Sequence, residues 1–231
     1  MIQLEKIKCV GCFSCSSVCP IEIIRMESNF EGFKYPIIID DDKCIRCNLC
    51  EKVCPVINNE REIQKDQIGL ISQITDSTIR KESASGGMFS AIALSVMNDN
   101  GIVYGAAYDE NFHVKHIGVT NREELWRLRN SKYVQSDLEG VFKEIKAKLE
   151  KGKVVCFSGT PCQIEGLRFF LRKDYENLLL VDVVCHGVSS PLVWEKYLEL
   201  IKKYKPHKIY FRWKHYGYKY STMSIFDKDN N

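Results

Sequence analysis

From Ile68 onward, apolar residues recur at two alternating periods, one helical and one of the short-strand kind. Met88, Phe89, Ile92, Ala93, Val96 and Met97 follow helical spacing, and Asn100-Gly101 supplies a stop. Ile102 to Tyr108 reads as a strand. Leu138, Val141, Phe142, Ile145 and Leu149 form a second helical stripe, closed by Lys151-Gly152-Lys153. Val154 to Phe157 reads as a buried strand, and Ile164, Leu167, Phe170 and Leu171 form a third stripe. Leu178 to Val184 predicts another strand and Leu192 to Tyr204 another helix. This alternation predicts an α/β domain with a mixed, partly parallel sheet over residues 68–231. The polar run 59–67 ahead of it reads as a linker. Residues 1–58 have a different texture. Only the short apolar stretches Ile21–Ile24 and Ile37–Ile39 predict strands there, and cysteine dominates the rest.

The chain contains 11 cysteines, eight of them between Cys9 and Cys54. An odd total, behind an N-terminus with no apolar signal core, argues against a disulfide framework. It favours metal or redox chemistry in a reducing compartment, hence a cytoplasmic protein. The eight form two copies of C-x2-C-x2-C-x3-C-P, Cys9 to Pro20 and Cys44 to Pro55, with equivalent cysteines 35 positions apart. Three thiolates at this spacing can wrap three iron corners of one cubane, and the trailing Cys-Pro directs its thiolate at the other cluster. The spacing therefore predicts an α+β ferredoxin-like domain over residues 1–58 with two [4Fe–4S] clusters. Cys9, Cys12, Cys15 and Cys54 would hold cluster 1; Cys44, Cys47, Cys50 and Cys19 would hold cluster 2. Zinc is the competing reading of paired C-x2-C motifs, but a four-ligand ion has no use for the third cysteine or the Cys-Pro.

Composition alters this picture little. In 231 residues, 33 Lys and Arg face 30 Asp and Glu, a net charge of +3, which gives no global argument for nucleic acid or an anionic membrane. No apolar run reaches the roughly 18 residues of a membrane span. The stretch Leu200–Phe226 is locally basic, with seven Lys or Arg among eight aromatics and no acid. Such interleaving can bind single-stranded nucleic acid. Alternation in Ile209-Tyr-Phe-Arg-Trp-Lys instead favours strand packing, and no nucleic-acid motif accompanies the charge.

Two strand-to-helix junctions share one construction. After Val154–Phe157 comes Ser158-Gly159-Thr160-Pro161-Cys162-Gln163, in which Thr160 reads as N-cap and Pro161 as the first helical residue. Cys162 then falls in the first turn, where the helix dipole is expected to lower its pKa. After Leu178–Val184 comes Cys185-His186-Gly187-Val188-Ser189-Ser190-Pro191, with the cap and Pro repeated. Both cysteines fall near the C-terminal ends of their strands, where open α/β sheets keep a ligand crevice. No catalytic residue is assigned; Cys162 is one candidate, and His186, beside Cys185, is a weak candidate for a proton relay. Buried single cysteines also serve as apolar filler, the reading given to Cys156. Ser83-Ala84-Ser85-Gly86-Gly87-Met88, ahead of the first long helix, could admit a phosphate but is also ordinary loop chemistry. His113 and His116 read as solvated residues of a polar turn.

The two cysteine runs, Ser83–Ser90, Asn-Ser-Lys-Tyr-Val-Gln-Ser (130–136), Phe-Ser-Gly-Thr-Pro-Cys-Gln-Ile-Glu-Gly-Leu-Arg (157–168) and Val-Cys-His-Gly-Val-Ser-Ser (184–190) occur in that order. In this the chain resembles the coenzyme F420 hydrogenase/dehydrogenase beta-subunit family. The resemblance implies an FAD-dependent iron–sulfur oxidoreductase, with clusters relaying single electrons to or from a flavin that handles a two-electron carrier, coenzyme F420 or similar. Ser85, Gly86, Gly87, Lys132, Tyr133, Thr160, Pro161, Cys162, Gln163 and Cys185 would then line the flavin site. Cys162 and Cys185 would join a further cluster only if a longer chain or a partner supplied the other ligands. The resemblance also implies a redox protein or oxidoreductase subunit as partner, in an anaerobic bacterium or archaeon. Family members usually continue past this length, so the chain is expected to be C-terminally truncated. The alternative is a ferredoxin-like electron-transfer subunit with a non-catalytic docking domain.

Overall fold

A computed structural model describes residues 5–58, 67–220 and 222–229. The expected linker, apart from Gln67, lies outside the described residues. Its elements group into two units, each made of two separate stretches of chain: residues 1–69 with 138–185, and residues 70–137 with 186–231.

In the first unit the cysteine-rich segment holds two short helices, α1 (Ser14–Val18) and α2 (Leu49–Lys52), and a hairpin of β1 (Ile24–Ser28) and β2 (Lys34–Ile38). The strands run antiparallel with Ile24 opposite Ile38. The hairpin is displaced from the two apolar stretches that predicted it. Glu22 adopts a left-handed φ of 55°, so the strand cannot begin before the turn that follows Cys19-Pro20 is complete. The second stretch of this unit supplies α5 (Val141–Glu150), β5 (Val155–Gly159), α6 (Pro161–Leu171) and β6 (Leu178–Asp182). β5 and β6 pair in parallel, as a β–α–β crossover requires. Phe142, Ile145 and Leu149 from α5, Val155 and Phe157 from β5, and Leu167 and Phe170 from α6 are buried. Phe142 stands edge-on to Phe157 at 5.9 Å. Cys156 on β5 is fully buried among them, and burial pushes its thiol up to about 12, as suits an inert filler.

The second unit holds α3 (Ser77–Glu82), α4 (Met88–Asn98), the antiparallel pair β3 (Ile102–Tyr108) and β4 (Val114–Val119), and α7 (Pro191–Ile201). It also holds the antiparallel pair β7 (Lys208–Trp213) and β8 (Thr222–Phe226). α/β architecture with mixed strand pairing, antiparallel here and parallel in the first unit, thus follows the ferredoxin-like region. Val114, Val134, Trp194, Ile201 and Ile209 form one buried cluster, with Tyr108 and Phe211 packed against it. Tyr210, Phe211, Trp213 and Phe226 of the basic C-terminal stretch are spent on packing, whereas Tyr204, Tyr216 and Tyr220 are exposed. Tyr210 meets Trp213 at 4.7 Å, and Phe211 meets Trp194 at 5.0 Å. His116 departs from its expected exposure. It lies on β4, only 5% exposed, with Nδ1 3.0 Å from the Ser136 hydroxyl, because the polar turn ends at His113 and the strand turns position 116 inward.

Candidate functional site

The two cysteine runs fold by the same local device. In the first, Gly11 and Phe13 have φ of 61° and 65°; in the second, Arg46 and Asn48, at the equivalent positions, have φ of 52° and 57°. Left-handed residues on either side of the second cysteine curl each run, so that successive side chains line the inside of a loop. Phe13 is a bulky residue in a region that L side chains disfavour, a strain tolerated where the surroundings fix it.

Each loop encloses a cavity. One is lined by Cys9, Cys12, Cys15 and Cys54, together with Phe13 and Met26. The other is lined by Cys44, Cys47, Cys50 and Cys19, together with Ile23 and Ile38. The fourth cysteine of each run therefore sits with the first three of the other. Among the described residues, no three His, Cys, Asp or Glu side chains converge on a point that would suit a single metal ion. Four thiols around a cavity instead suit a polynuclear group. Burial pushes the Cys12 thiol up to about 12 and raises Cys9 and Cys15 as well. Four thiolates so close together and so buried need a compensating cationic group, and iron supplies one. The donor set fits.

The first cavity rests on α6. The Ser14 hydroxyl donates to the Gly166 carbonyl at 2.5 Å, and a Cβ on Gly166 would lie 2.8 Å from the Cys12 Cβ and 3.2 Å from its Sγ. Only glycine permits this approach. Thr160 caps α6 and Pro161 opens it, as expected, and the Thr160 N–H donates to the Gln163 side-chain oxygen at 3.0 Å. Cys162 is in the first turn, its Sγ 3.2 Å from the Thr160 hydroxyl, and close enough to Cys12 and Cys185 to feel their charge. The expected lowering of its pKa is not found. Burial raises it, outweighing the Thr160 hydroxyl and the N-terminal amides, and the Cys185 charge adds to the rise. Cys185 is exposed three residues beyond β6, and His186 is exposed as well.

The remaining expected flavin residues belong to the second unit. Gly86 and Gly87 are tight against their own chain: Ile74 N–H donates to the Gly86 carbonyl at 2.8 Å, and a Cβ on Gly87 would lie 2.6 Å from the Ile74 side chain. The Ser85 carbonyl accepts from the Lys214 ammonium at 3.1 Å. Tyr133 is 41% exposed, with its ring edge-on to Phe211. Lys132 Nζ donates to the carbonyls of Ala106, Arg127 and Arg129 at 2.8–2.9 Å. All three ammonium N–H groups are thereby used, a commitment set by the folded backbone and invisible in local pattern. Burial pushes the Lys132 pKa down to about 7, against the pull of those carbonyls toward the charged form.

Residues 8–58 match the model of a 4Fe-4S dicluster domain, and a second dicluster model matches residues 36–87. Residues 71–143 match the N-terminal model of the coenzyme F420 hydrogenase/dehydrogenase beta subunit, and residues 152–227 match its C-terminal model. Among solved structures, the chain is similar to one in a xenon-derivatised F420-reducing [NiFe] hydrogenase complex from Methanosarcina barkeri. The identity is 18% and the TM-score 0.50, over 69% of this chain and 56% of that one, a likeness of fold. No curated protein matches the chain. Among the described residues, no helix is long and apolar enough to cross a membrane. With both beta-subunit models matched in order behind a dicluster domain, the chain belongs to the coenzyme F420 hydrogenase/dehydrogenase beta-subunit family.

Proposed function

We propose that this protein is an iron–sulfur oxidoreductase that relays electrons through two [4Fe–4S] clusters, to or from a flavin site serving a two-electron carrier such as coenzyme F420. The observation that carries the reading is the sorting of eight cysteines into two crossed sets of four around two cavities. Cys9, Cys12, Cys15 and Cys54 hold cluster 1, and Cys44, Cys47, Cys50 and Cys19 hold cluster 2. Cys15 and Cys19 lie at the two ends of α1, so one short helix ties the sets together. The Ser14–Gly166 contact holds the cluster 1 loop against α6, whose first turn carries Cys162.

The flavin rests on family membership. When bound, FAD would supply the exchange between hydride and single-electron chemistry. Of the residues that the resemblance assigns to its site, the turn Thr160–Gln163 and Cys185 belong to the first unit, and Ser85–Gly87 with Lys132-Tyr133 to the second. Lys132 acts there by bracing the backbone at Ala106, Arg127 and Arg129, since its ammonium has no N–H left for a phosphate. That commitment, with the closed packing of Gly86 and Gly87, favours the second reading, an electron-transfer subunit with a docking domain and no flavin.

Anaerobic purification with cofactor analysis tests both. The expected result is about eight iron and eight labile sulfide per chain. Stoichiometric zinc without sulfide overturns the cluster reading. Flavin absorption at about one per chain supports the first reading over the second.

A further inference from the structure

A depression of about 600 Å³ opens to solvent where α1, α5 and the C-terminal end of α6 meet within the first unit. Its floor includes Ser17 and Val18, two of the three residues of α1 between Cys15 and Cys19. Its rim carries Lys143, Lys146, Arg172 and Lys173. Glu150 is the acid among its lining residues, 3.9 Å from Lys146, and Lys143 pairs with Glu22 at 2.6 Å. Arg172 and Lys173 are exposed and have no carboxylate partner among the described residues; Lys173 lies over the Tyr175 ring at 4.6 Å. Asp174 and Glu176 follow this pair in sequence but do not line the depression.

A cationic rim around a surface hollow concentrates an anionic partner and orients it on approach. The cations here are long, flexible and solvent-facing, and the depression is open, which suits a broad acidic surface better than a small enclosed anion. The position matters as much as the charge. The floor is α1, which carries Cys15 of one set and leads into Cys19 of the other, so a partner seated here rests on a helix tied to both.

We infer that this basic depression is the docking face for an acidic single-electron carrier protein of the ferredoxin kind, rather than for a small anion. The inference rests on the electron-relay reading above. In the transfer, the carrier's cluster is oxidised by one electron and one cluster of this chain is reduced by one; no proton moves and no bond is made or broken.

The test uses the anaerobic holoprotein, an acidic two-[4Fe–4S] ferredoxin as probe, and the variant Lys146→Glu/Lys173→Glu, with Lys146→Arg/Lys173→Arg as the conservative control. Binding of oxidised ferredoxin is titrated at low and high ionic strength, and reduction by the reduced ferredoxin is followed by stopped flow. The expected result is tenfold or greater loss of affinity and of second-order rate in the Glu variant at low salt, with a flattened salt dependence. The Arg variant should behave as wild type, and iron content and bleaching by dithionite should be the same in all three. Equal affinity and equal salt dependence in the Glu variant, with dithionite bleaching intact, overturn the docking face alone. Competition by inorganic phosphate beyond that of chloride at matched ionic strength assigns the depression to a small anion and overturns it too. Wild-type clusters that dithionite cannot reduce overturn the electron-relay reading, and the docking face with it.

Discussion

Gly166→Ala adds one carbon where α6 touches the first cysteine loop. On the present backbone that carbon would lie 2.8 Å from the Cys12 Cβ, 3.0 Å from the Cys12 carbonyl oxygen and 3.2 Å from its Sγ. Carbon pairs rest near 3.5 Å or beyond, so about 0.7 Å must open between helix and loop. In an isolated helix the substitution would stabilise by about 1 kcal/mol through propensity. Overpacking against a fixed neighbour costs about 1–3 kcal/mol. Opening the interface also weakens the Ser14–Gly166 hydrogen bond, worth about 1 kcal/mol. Cys12 cannot yield freely if its sulfur is tied to iron, so the net expectation is destabilisation by about 1–3 kcal/mol. The strain falls on cluster 1 and leaves the Cys44–Cys50 set alone. The assay pairs denaturant unfolding with electron paramagnetic resonance of the reduced protein and iron counting, all anaerobic. Gly69→Ala, with no atom within 4 Å of its added carbon, is the control. A Gly166→Ala protein with the wild-type midpoint or a higher one, and an unchanged cluster 1 signal, would refute the close-approach argument.

Cys54→Ser should disturb the cluster built on Cys9, Cys12 and Cys15, although Cys54 is nearest in sequence to Cys50; spectra in which only the other cluster changes would contradict the crossed sets. Cys162→Ala should keep both ferredoxin clusters while lowering flavin content or substrate-linked electron transfer, whereas Cys156→Ala should cost some stability and leave turnover unchanged. Wild-type flavin and turnover in Cys162→Ala would return that residue to the packed core. Lys132→Met strands three carbonyls and should lower stability by about 3 kcal/mol or more, read from the denaturant midpoint. With the folded pKa of Lys132 held near 7, below its ordinary 10.5, the unfolded chain binds more protons between those values. Wild-type stability should therefore rise with pH across that window, and Lys132→Met should lose that rise.

The legible parts of this protein are those whose information is local. The helices α4, α5, α6 and α7 announce themselves through a single apolar face, and the cap Thr160-Pro161 marks the start of α6 to the residue. The cysteine runs are legible because iron ligation demands side chains at fixed intervals. What escaped notice depends on distant partners. Gly166 looks like a flaw in an otherwise good helix, and only Cys12, across the fold of the first unit, gives it a reason. Lys132 looks like a surface or ligand-binding residue until three carbonyls are found around it. α3 has no apolar stripe of its own and is held at its start by Asp76, which accepts from the N–H groups of Thr78 and Ile79. The upward shift of the Cys162 pKa is not legible in sequence, because helix position is visible there whereas burial is not.

The chain leaves the first unit after Gly69 and re-enters it at Leu138, and this has a bearing on biogenesis. All eight ligand cysteines have been synthesised by residue 54, while α6 is complete only at Leu171. At about 5–20 residues per second, on the order of 6–25 s separates the two events. During that interval the Cys12 side of the loop has no helix against it. Once α6 arrives, Gly166 closes to contact distance and Ser14 is anchored. The first cysteine run therefore reaches its finished packing only when a much later stretch of the chain has been made, whereas Ile23 and Ile38, which line the second cavity, precede the run that completes it.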